Sequence, residues 1–560
     1  MKKIRFMVAI CAALMIAAPA MSLEVDVSGH YFVEHFNHSN ETFNKDEATD
    51  DYSTMEFMAK PVFKINDNIT LTTQFTALQD HVWGTDASGP PSDEAVDNPL
   101  APKQDNVENF DWKAAYMTIK TSIGGFIVGR YIDTPWGTGL GDSTASHGSN
   151  SRHKDRVMWV VPTGDFISGL VAQKNGEGDK GNIISDADFH KYYGFSAYKQ
   201  ENWSTGLLIA RYEHRNYVNQ RDLRNFQTGY NSYLAASSAA TVAQGTYAGT
   251  YAQALQLAGA LNPALVPLVQ AAPFNAAQSA ALDGALGGAG IPAIDLYGLN
   301  SSAITAQGAA AAAGSAISAG PARSELGLWV FNPYFMGTFG PLTAEAEILY
   351  GIGEVDLDET RTYQGQTFDS IDASGLAATL DLKYDIAGFT LNAGGTYVQG
   401  DSNPDDDETT AIGYFEESID LEHGFLLTSD YQNLRTTLGG TDEDGIPLGN
   451  VSGGPTTITG PAGYTSFWLG AKYQVLDNLK LGLLFVNSTA DDVPVTNAGV
   501  KWDDDHGSEY DFTVEWDIMN NLKFWGVVAY LDAGDYWKAG GFNTEIEDNT
   551  TFYGRLTLEF

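Results

Sequence analysis

Glu345 and Glu347 stand two positions apart in the run Leu342-Thr343-Ala344-Glu345-Ala346-Glu347-Ile348. Carboxylates at that spacing fall on one face of an extended strand, where they could share a proton for acid–base hydrolysis or hold a cation. Nothing else in the chain supports hydrolysis. The histidines are scattered, and His30 to His35 reads His-x-x-x-Glu-His, which misses the zinc-protease spacing. On a strand those two histidines point to opposite faces. Oxygen-rich runs occur at Asp405-Asp406-Asp407-Glu408, Asp442-Glu443-Asp444 and Asp503-Asp504-Asp505-His506. Asp405, Asp406, Asp407, Asp503, Asp504 and Asp505 are weak candidates for Ca²⁺ or Mg²⁺, since none has the EF-hand spacing. Solvated acidic loops whose summed field favours cations are the simpler account. No cofactor is expected.

These residues need elements to position them, and composition narrows which. The chain has 560 residues, 59 Gly and a net charge of −40. A basic start (Lys2, Lys3, Arg5), an apolar run from Phe6 to Ala18 and Ala18-Pro19-Ala20 read as a secretory signal. Residues 1–22 are therefore expected to be removed, leaving 23–560 as one domain. The single cysteine, Cys11, lies in that signal. A disulfide scaffold and thiol catalysis are excluded for the exported chain, and its acidity argues against nucleic acid as a partner.

Periodicity then supplies the fold. Ile69 to Ala77, Leu342 to Tyr350, Gly507 to Trp516 and Thr551 to Phe560 alternate apolar with polar residues. A membrane-spanning strand does this, lipid on one side and lumen on the other. Short turns fall at Asn66-Asp67-Asn68, Ser122 to Gly125, Thr163 to Asp165, Gln200 to Asn202, Phe339 to Pro341, Asp385 to Gly388, Leu476 to Asn478 and Ile518 to Asn521. Long polar stretches separate the hairpins. Eight turns join sixteen strands, and one strand at each end makes eighteen. The expected fold is all-β: a transmembrane antiparallel β-barrel of about 18 strands, with short periplasmic turns and long extracellular loops. Phe63, Phe126, Trp203, Phe339, Phe389, Tyr473, Trp516 and Phe524 lie near the turns, as an aromatic girdle should. A barrel of this size encloses an aqueous channel. The first strand starts straight after the signal, which leaves no room for a plug.

The segment Trp112 to Ile119, the Gly124-Gly125 turn, Val128-Gly129-Arg130 and Trp136-Gly137 resemble the second hairpin of substrate-selective 18-stranded porins. They are similar, less closely, to the alginate-export barrels, although the strongly basic lumen of those exporters has few counterparts here. The terminal strand ending in Phe560 resembles the signature by which porins are recognised for insertion, which implies the barrel-assembly machinery as a partner. The resemblance implies a Gram-negative outer-membrane porin passing small hydrophilic solutes or ions, not an enzyme. Alternatives are a substrate-specific sugar or polysaccharide channel and a structural or adhesive barrel. Outer-membrane lipid and lipopolysaccharide are expected partners, and a homo-oligomer is open.

Selectivity in a channel comes from lumen charge and from whatever narrows the pore. Parity assigns Arg130, Arg211, Lys383, Lys472, Lys523 and Arg555 to the lumen as cations, with Glu345, Glu347, Glu509, Asp511 and Glu515 as anions. The stretch 233–320 is unusual: Ala, Gly, Ser and Leu dominate, and only Asp283 and Asp295 are charged. A short helix is expected around Tyr251 to Ala258, ended by Pro263 and Pro267. The segment is expected to narrow or cap the pore, or to contact another subunit or the surface layer.

Overall fold

A computed structural model describes residues 24–39, 49–83, 110–132, 136–138, 140, 153–177, 188–217, 220–261, 296–317, 324–363, 366–401, 407–410, 424–427, 463–493, 500–541 and 545–560, with isolated positions between 262 and 295. The signal segment, Asp405, Asp406 and 442–444 lie outside the described residues.

Eighteen long strands alternate with the turns that the sequence marks. They are β1 (Glu24–Ser39), β2 (Asp50–Asn66), β3 (Ile69–Val82), β4 (Phe110–Thr121), β5 (Gly124–Ile132), β6 (His153–Thr163), β7 (Phe166–Glu177), β8 (Asp188–Lys199) and β9 (Trp203–Tyr217). The second half comprises β10 (Ser324–Phe339), β11 (Leu342–Tyr363), β12 (Gln366–Ile386), β13 (Phe389–Val398), β14 (Tyr464–Leu476), β15 (Leu479–Thr489), β16 (Asp505–Met519), β17 (Leu522–Ala533) and β18 (Asn549–Glu559). A three-residue strand, Glu408–Thr410, lies parallel to β12. Each long strand pairs with its chain neighbours, and β1 pairs antiparallel with both β2 and β18. The sheet is thereby closed, which leaves no edge to satisfy. The closing seam is tight: Gly29 and Phe560 exchange backbone hydrogen bonds at 2.9 and 3.1 Å.

Local chemistry explains the turns. Asn66 Oδ1 accepts from the backbone of Asn68 and Ile69, at 2.9 and 3.0 Å, closing an Asx turn. Gly164 and Gly340 take the left-handed conformation, with φ of 61° and 64°, which costs a glycine nothing.

Burial is inverted relative to a soluble protein. On β16, Glu509 and Asp511 are buried, while Tyr510, Phe512 and Trp516 are exposed. Leu483 on β15 is 65% exposed, and Ile348, Tyr350 and Ile352 on β11 are also bare. Charges turned inward and aromatics outward make sense only if the outer surface meets lipid. The girdle is visible near the turns as ring contacts Phe389–Tyr473 (4.4 Å), Phe166–Tyr198 (4.7 Å) and Phe335–Phe339 (6.3 Å). The protein is a closed antiparallel transmembrane barrel.

A second compact unit comprises Tyr217–Ser324 with Leu357–Glu359. It carries helices α1 (Gln220–Leu261) and α2 (Leu296–Ile317), which pack on each other through small and apolar residues including Ala254, Leu296 and Ala303. The short helix expected near Tyr251 is thus part of a helix of 42 residues, ending two positions before Pro263 as proline requires. Hydroxyls fit these helices by bonding back one turn: Thr241 to Ser237, Thr246 to Val242 and Thr305 to Ser301. Among the described residues no helix is long and apolar enough to cross a membrane.

Candidate functional site: the lumen and two segments docked on its wall

Two short segments lie against the inner wall, and carboxylates on the strands hold both. The first follows β5. Trp136 donates through Nε1 to the Asn332 carbonyl at 3.1 Å and packs edge-on to Phe195 and Tyr334, at 5.6 and 5.0 Å. Glu347 accepts from the Thr138 backbone and, at 2.8 Å, from its hydroxyl. Asn332 Nδ2 donates to the other Glu347 oxygen, also at 2.8 Å. Leu140 is fully buried. Gly137 makes the approach possible, because its φ is +64° and a Cβ there would lie 2.3 Å from Glu347 Oε2.

The second segment, 424–427, belongs to the long connection between β13 and β14. Phe425 N donates to Asp511 at 3.1 Å, and Leu426 N and Leu427 N to the two Glu509 oxygens at 2.7 and 2.8 Å. Two buried carboxyl groups thus satisfy three successive peptide donors. Phe425 packs on Tyr553 (5.1 Å) and Trp525 (6.2 Å). These residues belong to a buried cluster with Phe36, Trp468, Val486 and Val527.

Beside this segment lies a cavity of about 550 Å³ lined by Asp381, Lys383, Asn392, Phe425, Lys472, Lys480, Asp511, Thr513, Glu515 and Trp525, among others. Lys383 bridges Glu345 and Asp381, at 3.0 Å to each. Lys472 and Lys480 both approach Glu515. Trp468 Nε1 donates to Asp381 at 3.1 Å. Lys523 pairs with Glu559 at 2.9 Å beside the turn that joins β16 to β17. Arg555 lies 3.8 Å from the centroid of the Phe32 ring, next to Tyr553, whose hydroxyl donates to Glu34 at 2.8 Å.

Alternating burial therefore places Glu345, Glu347, Lys383, Lys472, Glu509, Asp511, Glu515, Lys523 and Arg555 on the inner face. Arg130 and Arg211 stand elsewhere. Arg130 shares a face with Phe126 and Val128, and in its row lies beside exposed Asp155. Arg211 shares a face with exposed Leu207 and Ile209 and stacks over outward Trp329 at 5.5 Å. Both point outward, contrary to the expectation from parity. Phe126 expected in the girdle and Arg130 expected in the lumen cannot both hold, since four residues along a strand restore the same face. Near its outer end a strand tolerates charge on the lipid side, so polarity alone misassigns such residues.

Sequence reasoning missed Arg156 and Lys191, which are buried inward over Tyr131 (4.8 Å) and Tyr193 (5.1 Å). Parity counted from outward Val157 and Tyr192 finds both. It also missed the 424–427 segment, whose only signal is an apolar Phe425-Leu426-Leu427 within an acidic connection. The acidic runs act locally: Asp503 accepts from Asp505 N at 3.1 Å, and Asp505 from Gly507 N at 2.9 Å. Asp504 and Asp407 accept backbone bonds through their carbonyls. Among the described residues no group of three or more His, Asp or Glu is arranged to hold a metal.

No family model and no curated protein matches the chain. Solved structures do. OccK8 (OprE) of Pseudomonas aeruginosa is 9% identical, with 96% of this chain and 98% of that chain covered and a TM-score of 0.44. OpdK of the same organism, solved with vanillate, gives the same identity, coverage and score. OmpF of Salmonella typhi is 10% identical over 96% and 98%, with a TM-score of 0.38. Likeness of this degree adds nothing to what the closed barrel itself shows.

Proposed function

We propose that the barrel is a water-filled porin of a bacterial outer membrane, passing small hydrophilic solutes by passive diffusion. The observation that carries this reading is the charged inner cavity, where three lysines and three carboxylates line one space. A barrel that served only to display loops has no need of such a space, whereas a solute path does. The segments 136–138 and 424–427 narrow the path, and Glu347, Glu509 and Asp511 keep them in place. Lys383, Lys472 and Lys480, with Glu345 and Glu515 beside them, form a wall that orients charged or zwitterionic solutes.

Reconstitution into planar bilayers and into vesicles for swelling with graded solutes tests this. Discrete conductance steps and passage of small sugars or amino acids are expected. A tight vesicle with no steps indicates a sealed, adhesive barrel, and vesicle breakdown indicates a lipase.

A further inference from the structure

On the outward face of β5–β9 one row of ionisable side chains runs across five strands in direct register: Arg130, Asp155, Lys174, His190, Glu213. Register partners in an antiparallel sheet share a face, and this face also carries exposed Val157, Leu170 and Tyr192. Arg211 stands in the adjacent row, level with Tyr192. The strands β10, β11, β12 and β17 are different. There the outward charge at the top of the apolar band is an acid: Glu325, Glu354, Asp372 and Asp532. In a chain of net charge −40, Arg130, Lys174 and Arg211 stand on one outward sector, each beside an acid.

The apolar band beneath them is also narrower. Lys174 comes eight residues after Phe166 at the start of β7, whereas Glu354 comes twelve after Leu342 at the start of β11. The difference is about 13 Å of strand at roughly 3.3 Å per residue. Cations on long stems at that height reach up to the headgroups of the outer leaflet. The two arginines retain donors for a ligand: a guanidinium has five N–H groups, and Arg130 uses two on Asp155, at 2.9 and 2.8 Å. Arg211 Nε is 3.6 Å from Glu213, at the limit of a useful contact.

We propose that the outward face of β5–β9 binds the phosphate groups of a phosphorylated outer-leaflet glycolipid, with Arg130, Lys174 and Arg211 as the contacting cations. The paired acids Asp155, Asp188 and Glu213 hold those side chains in place: Lys174 is 2.8 Å from Asp188. The proposal rests on the transmembrane reading of the barrel.

The test is thermal unfolding of the detergent-solubilised barrel with lipid A, with dephosphorylated lipid A and with inorganic phosphate alone. Lipid A is expected to raise the melting temperature, and the other two are expected to have little effect. The triple variant R130Q/K174Q/R211Q should bind lipid A roughly five-fold more weakly for each cation removed. The charge-keeping R130K/R211K should retain most of the binding, and E354Q on β11 should retain all of it. Equal stabilisation by dephosphorylated lipid, by phosphate alone, or in the triple variant overturns the proposal. So does spontaneous disulfide dimerisation of R130C, which would give this face to a second copy of the chain. A barrel that fails to insert into neutral vesicles refutes the transmembrane reading instead, which is a separate outcome.

Discussion

Glu347 on β11 and Glu509 on β16 perform one task at two places, yet the two arrangements differ in strength. Glu347 accepts from the Thr138 backbone and hydroxyl and from the Leu140 backbone, and Trp136 packs between two aromatic rings. Glu509 and Asp511 together hold three consecutive peptide groups, and the Phe425 ring enters a buried cluster of the lumen. Both segments are held by carboxyl groups and by aromatic packing, and the second carries one more peptide donor. A lumen carboxylate is thus not automatically a selectivity charge. Its neighbour decides: Glu345, two residues from Glu347, meets Lys383 and remains on the cavity side.

The largest effect is expected from removing the charge that holds 424–427. The double variant E509Q/D511N removes the charge of the pair, and a hydrogen bond to a charged group is worth about 1.5–3 kcal/mol, so the segment leaves the wall and single-channel conductance rises. Unaltered conductance would show that this segment does not narrow the pore. Phe425→Ala comes next: it empties a buried aromatic site at a cost of about 3–5 kcal/mol, read as a lower melting temperature in detergent. A smaller change is expected from Gly137→Ala, which sets a Cβ against Glu347 without removing any anchor. Conductance should rise less than in the double variant, and a larger rise would reverse the ranking of the two segments. Lys472→Gln should shift the reversal potential toward cation preference while altering stability by less than about 1 kcal/mol. High salt should erase that shift. Deleting 233–320 tests the expectation that this stretch narrows or caps the pore: a rise in conductance supports it, and unchanged conductance overturns it.

Much of this molecule is legible along the chain. The eight short turns, the strand number and the inward face of β11, β16 and β18 follow from a two-residue period punctuated by Gly, Asn, Asp and Pro. Such signals are local, so no distant residue can overturn them. Arg130 and Arg211 were misplaced because face was inferred from polarity instead of being counted from Phe126 and Leu207. The helices of 220–261 and 296–317 were seen only in part, since Ala, Gly and Ser favour neither a clear apolar stripe nor a clear break.

The alternation of the chain determined that Glu345, Glu347, Glu509 and Asp511 face the lumen. It could not determine what each meets there. Glu347 to Thr138 spans 209 residues, and Glu509 to Leu427 spans 82. Contacts at such separations depend on how closure of the whole sheet brings a connection back over the wall, and no period of two carries that information. The sequence therefore named the charged residues of the channel. Only the closed barrel divided them into those that hold a connection against the wall and those that pair with lysines beside the cavity.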